Sequence, residues 1–253
     1  MNALKSLAAA LLLLTAGMLP RPATAAEANV AVAANFTEAA KEIAAAFKAK
    51  TGHDLVLSFG ASGPFYTQIT QDAPFQILLS ADDIRPKKLE DEGFAVPGTR
   101  FTYAIGKLVL WSHDPALVKG AETLQAGAFT RLSIANPAAA PYGVAAIEAL
   151  KALKLYDTLQ PKIVQGSTIT QAFQFVDTGN AELGFIALSQ LAGNQGGSRW
   201  MVPQDLYTPI RQDAVLLKKG AGNAAATAFM AFLKGPEARA IIEKYGYVIA
   251  GGN

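Results

Sequence analysis

The chain has 253 residues, about half of them apolar, with 22 basic against 20 acidic side chains, two histidines and no cysteine. That composition excludes thiolate chemistry and a disulfide scaffold, leaves little for a zinc site, and shows no basic cluster of the kind nucleic-acid binding needs. A chain of this length and apolar content can build one large core or two smaller ones without covalent staples.

The start of the chain reads as a leader. Lys5 precedes an apolar run from Leu7 to Leu19, and Ala23-Thr24-Ala25 supplies small residues at a cleavage site. This is the three-part layout of a secretory signal peptide, with an apolar core short of the ~20 residues a spanning helix needs. We therefore expect residues 1–26 to be a signal peptide and the mature chain to begin at about Glu27; an uncleaved membrane anchor is the alternative. Lys5 and Arg21 leave with the leader, so the mature chain carries 20 charges of each sign and is close to neutral. Any anion it binds must be held mostly without net charge.

Strand-like and helical patterns then alternate. Residues 29–34 read as a buried strand, and Asn35 with Glu38 three positions on resembles a capping box opening a helix whose apolar positions are Phe36, Ala39, Ile43 and Phe47. Gly52 is a natural stop. Further strands are expected at 54–59 and 75–82, with a short helix near 65–70 and another at 84–92. The run 103–112 reads as one strand, followed by strands at 131–137, 161–166, 181–188 and 213–220. Helices are expected at 142–153, 168–179, 224–233 and 236–245. This order points to an α/β protein with mainly parallel sheets flanked by helices on both faces.

One junction recurs four times: a strand ends, small or hydroxyl residues follow, and a helix begins. It occurs at Ala33–Thr37, Phe59–Pro64, Ala135–Gly143 and Val164–Thr170. A helix start has unpaired N–H groups and a partial positive charge, and in open α/β sheets ligands bind beyond the carboxyl ends of the strands. Four such starts aimed into one cleft enclose an oxyanion with neutral donors only. Taken singly, each is an ordinary capped helix, and the residues alone leave both readings open. Tyr142 is either a packed aromatic or a phenolic donor, and Thr168 either a cap or a ligand.

Ser62, in Gly60-Ala61-Ser62-Gly63-Pro64, raises the question of a serine hydrolase. The spacing is not that of a nucleophile elbow, and neither His53 nor His113 stands in a recognisable motif to serve as base. Both histidines read as ordinary surface or loop residues.

Taken together, the stretches 30–52, 58–69, 72–82, 166–191 and 232–247 resemble the periplasmic molybdate-binding proteins of ABC transporters, in order from about Asn29 to Tyr247. The resemblance implies a two-lobed type II periplasmic solute-binding fold, with one lobe from 27–104 plus 214–253, the other from 105–213, and crossovers near 103–106 and 212–214 as the hinge. It implies a protein that is no enzyme and has no cofactor or metal ligands. Its ligand would be molybdate and tungstate, its partner a membrane ABC permease, its location the periplasm and its state a monomer. Rival ligands are sulfate or another small oxyanion. The implied ligand positions are Asn35, Ser62, Tyr142 and the backbone N–H of Ile169, with Ala34, Gly63, Thr168 and Ala187 as possible additions. Some relatives use a tyrosine where this chain has Ala187; a subset carries it at the third junction, as Tyr142 does.

Overall fold

The structure, a computed structural model, describes residues 25–193 and 196–249; nearly all of the expected signal peptide lies outside the described residues. Its first strand, β1 (Glu27–Ala33), is a short Ala/Val run buried on both faces, which makes it a central strand. It pairs in parallel with β2 (Asp54–Gly60) on one side and β3 (Ile77–Leu79) on the other. Helix α1 (Thr37–Thr51) connects β1 to β2 and buries Ala39, Ala40, Ile43 and Phe47 on one face. It ends at Gly52, whose φ of 74° is the left-handed conformation that only glycine adopts freely. Helices α2 (Ser62–Thr70) and α3 (Ile84–Asp91) follow β2 and β3.

The apolar run expected as one strand is two. β4 (Phe101–Gly106) belongs to the first sheet, and β5 (Leu108–Ser112), one residue later, to a second. Hydrophobic pattern alone conceals the break at Lys107 because the residues on both sides are buried. The second sheet then takes shape through α4 (Ala121–Ala126), β6 (Leu132–Ala135), α5 (Pro141–Ala152), α6 (Tyr156–Leu159), β7 (Ile163–Gly166), α7 (Ile169–Asp177), β8 (Leu183–Ala187) and β9 (Ser198–Met201). The chain returns to the first sheet as β10 (Ile210–Leu216) and finishes with α8 (Ala224–Leu233) and α9 (Pro236–Lys244). The short elements α4, α6 and β9 lack a periodic signal long enough to read from sequence.

The two sheets have five strands each, in the orders β2-β1-β3-β10-β4 and β7-β6-β8-β5-β9. In each, four strands run the same way and the fourth in order runs against them. This is the helix-flanked, mainly parallel α/β architecture expected from the sequence. The crossings are symmetric: the chain leaves each sheet from an edge strand, β4 or β9, and enters the other at its reversed strand, β5 or β10. The segments 103–106 and 212–214 lie side by side, with Gln212 opposite Ala104 and a bulge between Gln212 and Asp213.

Each sheet has its own apolar core. Around β1, β3 and β10 lie Phe36, Ile43, Phe47, Phe229 and Ile242; around β5, β6 and β8 lie Leu108, Ile134, Leu150 and Phe185. Ala33, Ala34, Ala61 and Ala81, at the strand ends of the first sheet, pack into the second core. Among the described residues no helix is long and apolar enough to cross a membrane.

Phe47 is fully buried and meets Phe229 and Phe232 edge to face. Phe47→Ala should cost about 3–5 kcal/mol and lower the thermal midpoint by roughly 10 °C in a melting experiment. An unchanged midpoint would mean that α1 is anchored elsewhere.

Candidate functional site

The four repeated junctions all meet. Ala34 and Asn35, from the 3₁₀ turn after β1, Ser62 at the start of α2, Tyr142 in the first turn of α5 and Ile169 at the start of α7 line one pocket. Small residues, among them Ala61, Ala81 and Ala140, complete its wall, and no lining residue carries a charge. The cavity is small, about 10 Å³, far below the ~300–1,000 Å³ of pockets for drug-sized ligands. A compact solute suits it.

The candidate donors in the lining arise for local reasons. Ala61 and Thr168 are extended N-cap residues, so the chain turns into α2 and α7 with Ser62 and Ile169 as first helical residues. N–H groups at such positions have no acceptor within the helix. Ser62, 1% exposed, accepts a hydrogen bond on Oγ from the Ala81 N–H at 2.9 Å, which leaves its hydroxyl proton to donate. Among the described residues no imidazole or carboxylate is bonded to it. His53 instead accepts from the Ala26 N–H, and His113 stands against Trp111. Tyr142, also 1% exposed, accepts on its phenol oxygen from Gln212 Nε2 at 3.3 Å.

Asn35 differs from its sequence reading in one respect. Its side chain caps no helix, so the capping box with Glu38 does not form. The amide is already engaged: Nδ2 donates to Gln212 Oε1 at 2.8 Å and to the Tyr247 hydroxyl at 2.9 Å. What Asn35 presents to the pocket beside that network is its backbone at a helix start.

Gly63, Thr168 and Ala187 do not line the pocket. The Gly63 N–H donates to the Ala139 carbonyl at 3.0 Å, tying α2 to the turn before α5. Thr168 Oγ1 accepts from the Gln171 N–H at 3.1 Å and is a cap. Ala187 is fully buried, with its N–H on Gln190 Oε1.

Sequence reasoning missed a shell of polar residues behind the pocket. Ser189 Oγ and the Tyr247 hydroxyl each lie 2.8 Å from the Asn35 carbonyl, and Tyr103 reaches Gln212 Oε1 at 3.1 Å. Gln212 and Tyr103 sit in ordinary strand patterns, so nothing in spacing marks them. Acidic groups near this shell are neutralised by cations, Asp82 by Arg85 and Asp213 by Arg100 with Thr102 Oγ1 at 2.7 Å. The pocket is thus a donor-rich, charge-free chamber suited to holding an anion.

A family model for bacterial extracellular solute-binding proteins matches residues 28–248. The chain is 60% identical over 227 residues to the molybdate-binding protein ModA of Rhodobacter capsulatus, covering 90% of each chain. It is 55% identical over 247 residues to the protein of the same name from Azotobacter vinelandii, covering 96% of this chain and 98% of that one. The solved periplasmic molybdate-binding protein of Azotobacter vinelandii superposes with a TM-score of 0.85 at 44% identity, covering 88% of this chain and 99% of the other.

Burial pushes the phenols of Tyr103, Tyr142 and Tyr247 well above their ordinary value. The unfolded chain releases these protons near pH ~10 while the folded chain keeps them, so stability is full below that pH and lost above it. The thermal midpoint should hold to about pH 9 and fall from about pH 10 upward, less steeply in Tyr142→Phe. A midpoint that stays level through that range would contradict the burial of these phenols.

Proposed function

The chain belongs to the bacterial extracellular solute-binding protein family, and on that premise we propose that it captures molybdate and delivers it to a membrane ABC permease. One observation carries the reading: four helix starts and two hydroxyls converge on a pocket without a charged side chain, in a chain 60% identical to a molybdate-binding protein.

The chemistry of the ligand matches that pocket. Molybdate at neutral pH is a fully deprotonated dianion, so each of its oxygens accepts hydrogen bonds and none donates. A site made only of N–H and O–H donors pairs every oxygen. Hydrogen bonds to a charged partner are worth about 1.5–3 kcal/mol each, more than neutral ones, and the aligned helix starts add to them without bringing a net charge. Phosphate retains a proton at this pH and needs an acceptor, which no lining residue supplies as a carboxylate. The proposed donors are the Ser62 hydroxyl, the Tyr142 phenol and the backbone N–H groups of Asn35, Ser62 and Ile169, with Ala34 beside them.

Capture is a binding event followed by closure of two lobes over the anion, with no covalent step. Molybdate is a ligand and no cofactor takes part. The two sheets with their helices act as the lobes, bending where the chain crosses between them. Tungstate, with the same charge and nearly the same size, binds in the same way. The protein works as a monomer in the periplasm, reached through its N-terminal signal peptide.

Calorimetric titration of the mature chain tests this. Molybdate and tungstate should bind tightly, sulfate weakly and phosphate least; tight sulfate binding with no response to molybdate would overturn the assignment. Ser62→Ala and Tyr142→Phe should each weaken molybdate binding about ten-fold or more while the unliganded protein stays folded. An unchanged dissociation constant in either variant would remove that residue from the site.

A further inference from the structure

Gln212 is fully buried in the middle of β10 and faces the back of the pocket. Successive strand residues normally point to opposite faces. Gln212 and the next residue, Asp213, follow that alternation into separate buried networks, and the register shift opposite them skips Tyr103 on β4. Asp213 goes to Arg100 and Thr102, Gln212 to the pocket.

The amide of Gln212 has an acceptor end and a donor end, and its neighbours sort them. Oε1 accepts from Asn35 Nδ2 at 2.8 Å and from the Tyr103 hydroxyl at 3.1 Å. An amide nitrogen is a donor only, so the Asn35 contact requires an oxygen at this end. The NH₂ end is thereby turned to the Tyr142 phenol at 3.3 Å. Gly106 permits this approach: a Cβ at that position would lie 2.1 Å from the phenol oxygen and 2.7 Å from Gln212 Nε2. Because the phenol oxygen accepts from Gln212, its own proton is not directed at the amide. Among the described residues no acceptor takes it.

We propose that Gln212 is a positioning residue that fixes the direction of the Tyr142 hydroxyl, so that the pocket meets its ligand with a phenolic donor and thereby favours oxyanions without a proton over those that carry one. The proposal rests on the oxyanion reading given above. The chain of donors is one-way: Asn35 Nδ2 gives to Gln212, Gln212 gives to Tyr142, and Tyr142 gives to the anion. Reversed, it would set a lone pair against the ligand. Burial, which holds the phenol in its protonated form, works in the same direction.

The test is a double-mutant cycle on the mature protein, titrated with molybdate and with phosphate in competition. Gln212→Met keeps the volume and removes both ends of the amide. It should weaken molybdate binding about ten-fold and narrow the molybdate-to-phosphate ratio. In a Tyr142→Phe background the same substitution should change the dissociation constant by less than about two-fold, because the group it orients is gone. Gln212→Glu, which places an acceptor opposite the phenol and draws its proton away, should weaken molybdate binding further than Gln212→Met. If the losses from Gln212→Met and Tyr142→Phe multiply and the anion ratio is unchanged, Gln212 only packs and the inference is overturned. Should Gln212→Glu fail to fold, the Met cycle decides alone. A wild-type protein that ignores molybdate would refute the functional reading itself, and the inference with it, before any variant is made.

Discussion

The proposed function sets a single electrostatic constraint on the structure: a doubly charged solute has to leave water and enter a chamber whose lining carries no opposite charge. Desolvating an ion is costly unless every face of it finds a partner. The proposed partners are two hydroxyls and the backbone, at the places where a helix has N–H groups it cannot use itself. The β-α-β arrangement supplies such places at the carboxyl end of every parallel strand, and facing two sheets toward each other brings four of them together. The alanines around the pocket follow from the same need, since larger side chains would hold the helix starts too far from a small ligand.

Neutral walls raise the demands on the surroundings. A single stray carboxylate would repel an anion, and Asp82 and Asp213 are held by Arg85 and Arg100. Behind the pocket, Asn35, Gln212, Tyr247, Ser189 and Tyr103 bond one another within the protein interior. Such networks are worthwhile only when their members are satisfied, and when satisfied they hold their groups in fixed orientations. The rigidity of the donor set therefore comes from residues that do not line the pocket as well as from those that do.

Much of the architecture was legible because it is written in local patterns. The helix of Thr37–Thr51 shows its apolar face and its terminal glycine openly, and the four strand-to-helix junctions announce themselves by small residues at repeated positions. Ser62, Tyr142 and Ile169 stand where those junctions put them. What escaped reading was whatever depends on distant residues. The break at Lys107 hides inside one apolar run because both sides of it are buried in different sheets. The side chain of Asn35 looks like a helix cap until Tyr247, 212 positions away, and Gln212 claim its amide. The burial of Gln212 in mid-strand, and the partners that claim its amide, leave no mark in composition or spacing.

The symmetric crossings have a mechanical meaning. Gly106 and Ile210 are paired neighbours in the first sheet, so the outgoing and incoming chains leave it side by side. Two bodies joined by one tether can swivel in any direction, whereas two adjoining tethers define an axis. Relative motion is then reduced to folding about that axis, much as a cover turns on its spine. On the proposed function, each closure of the cleft would return the same atoms to the same places, and the proposed donors would not have to be found afresh.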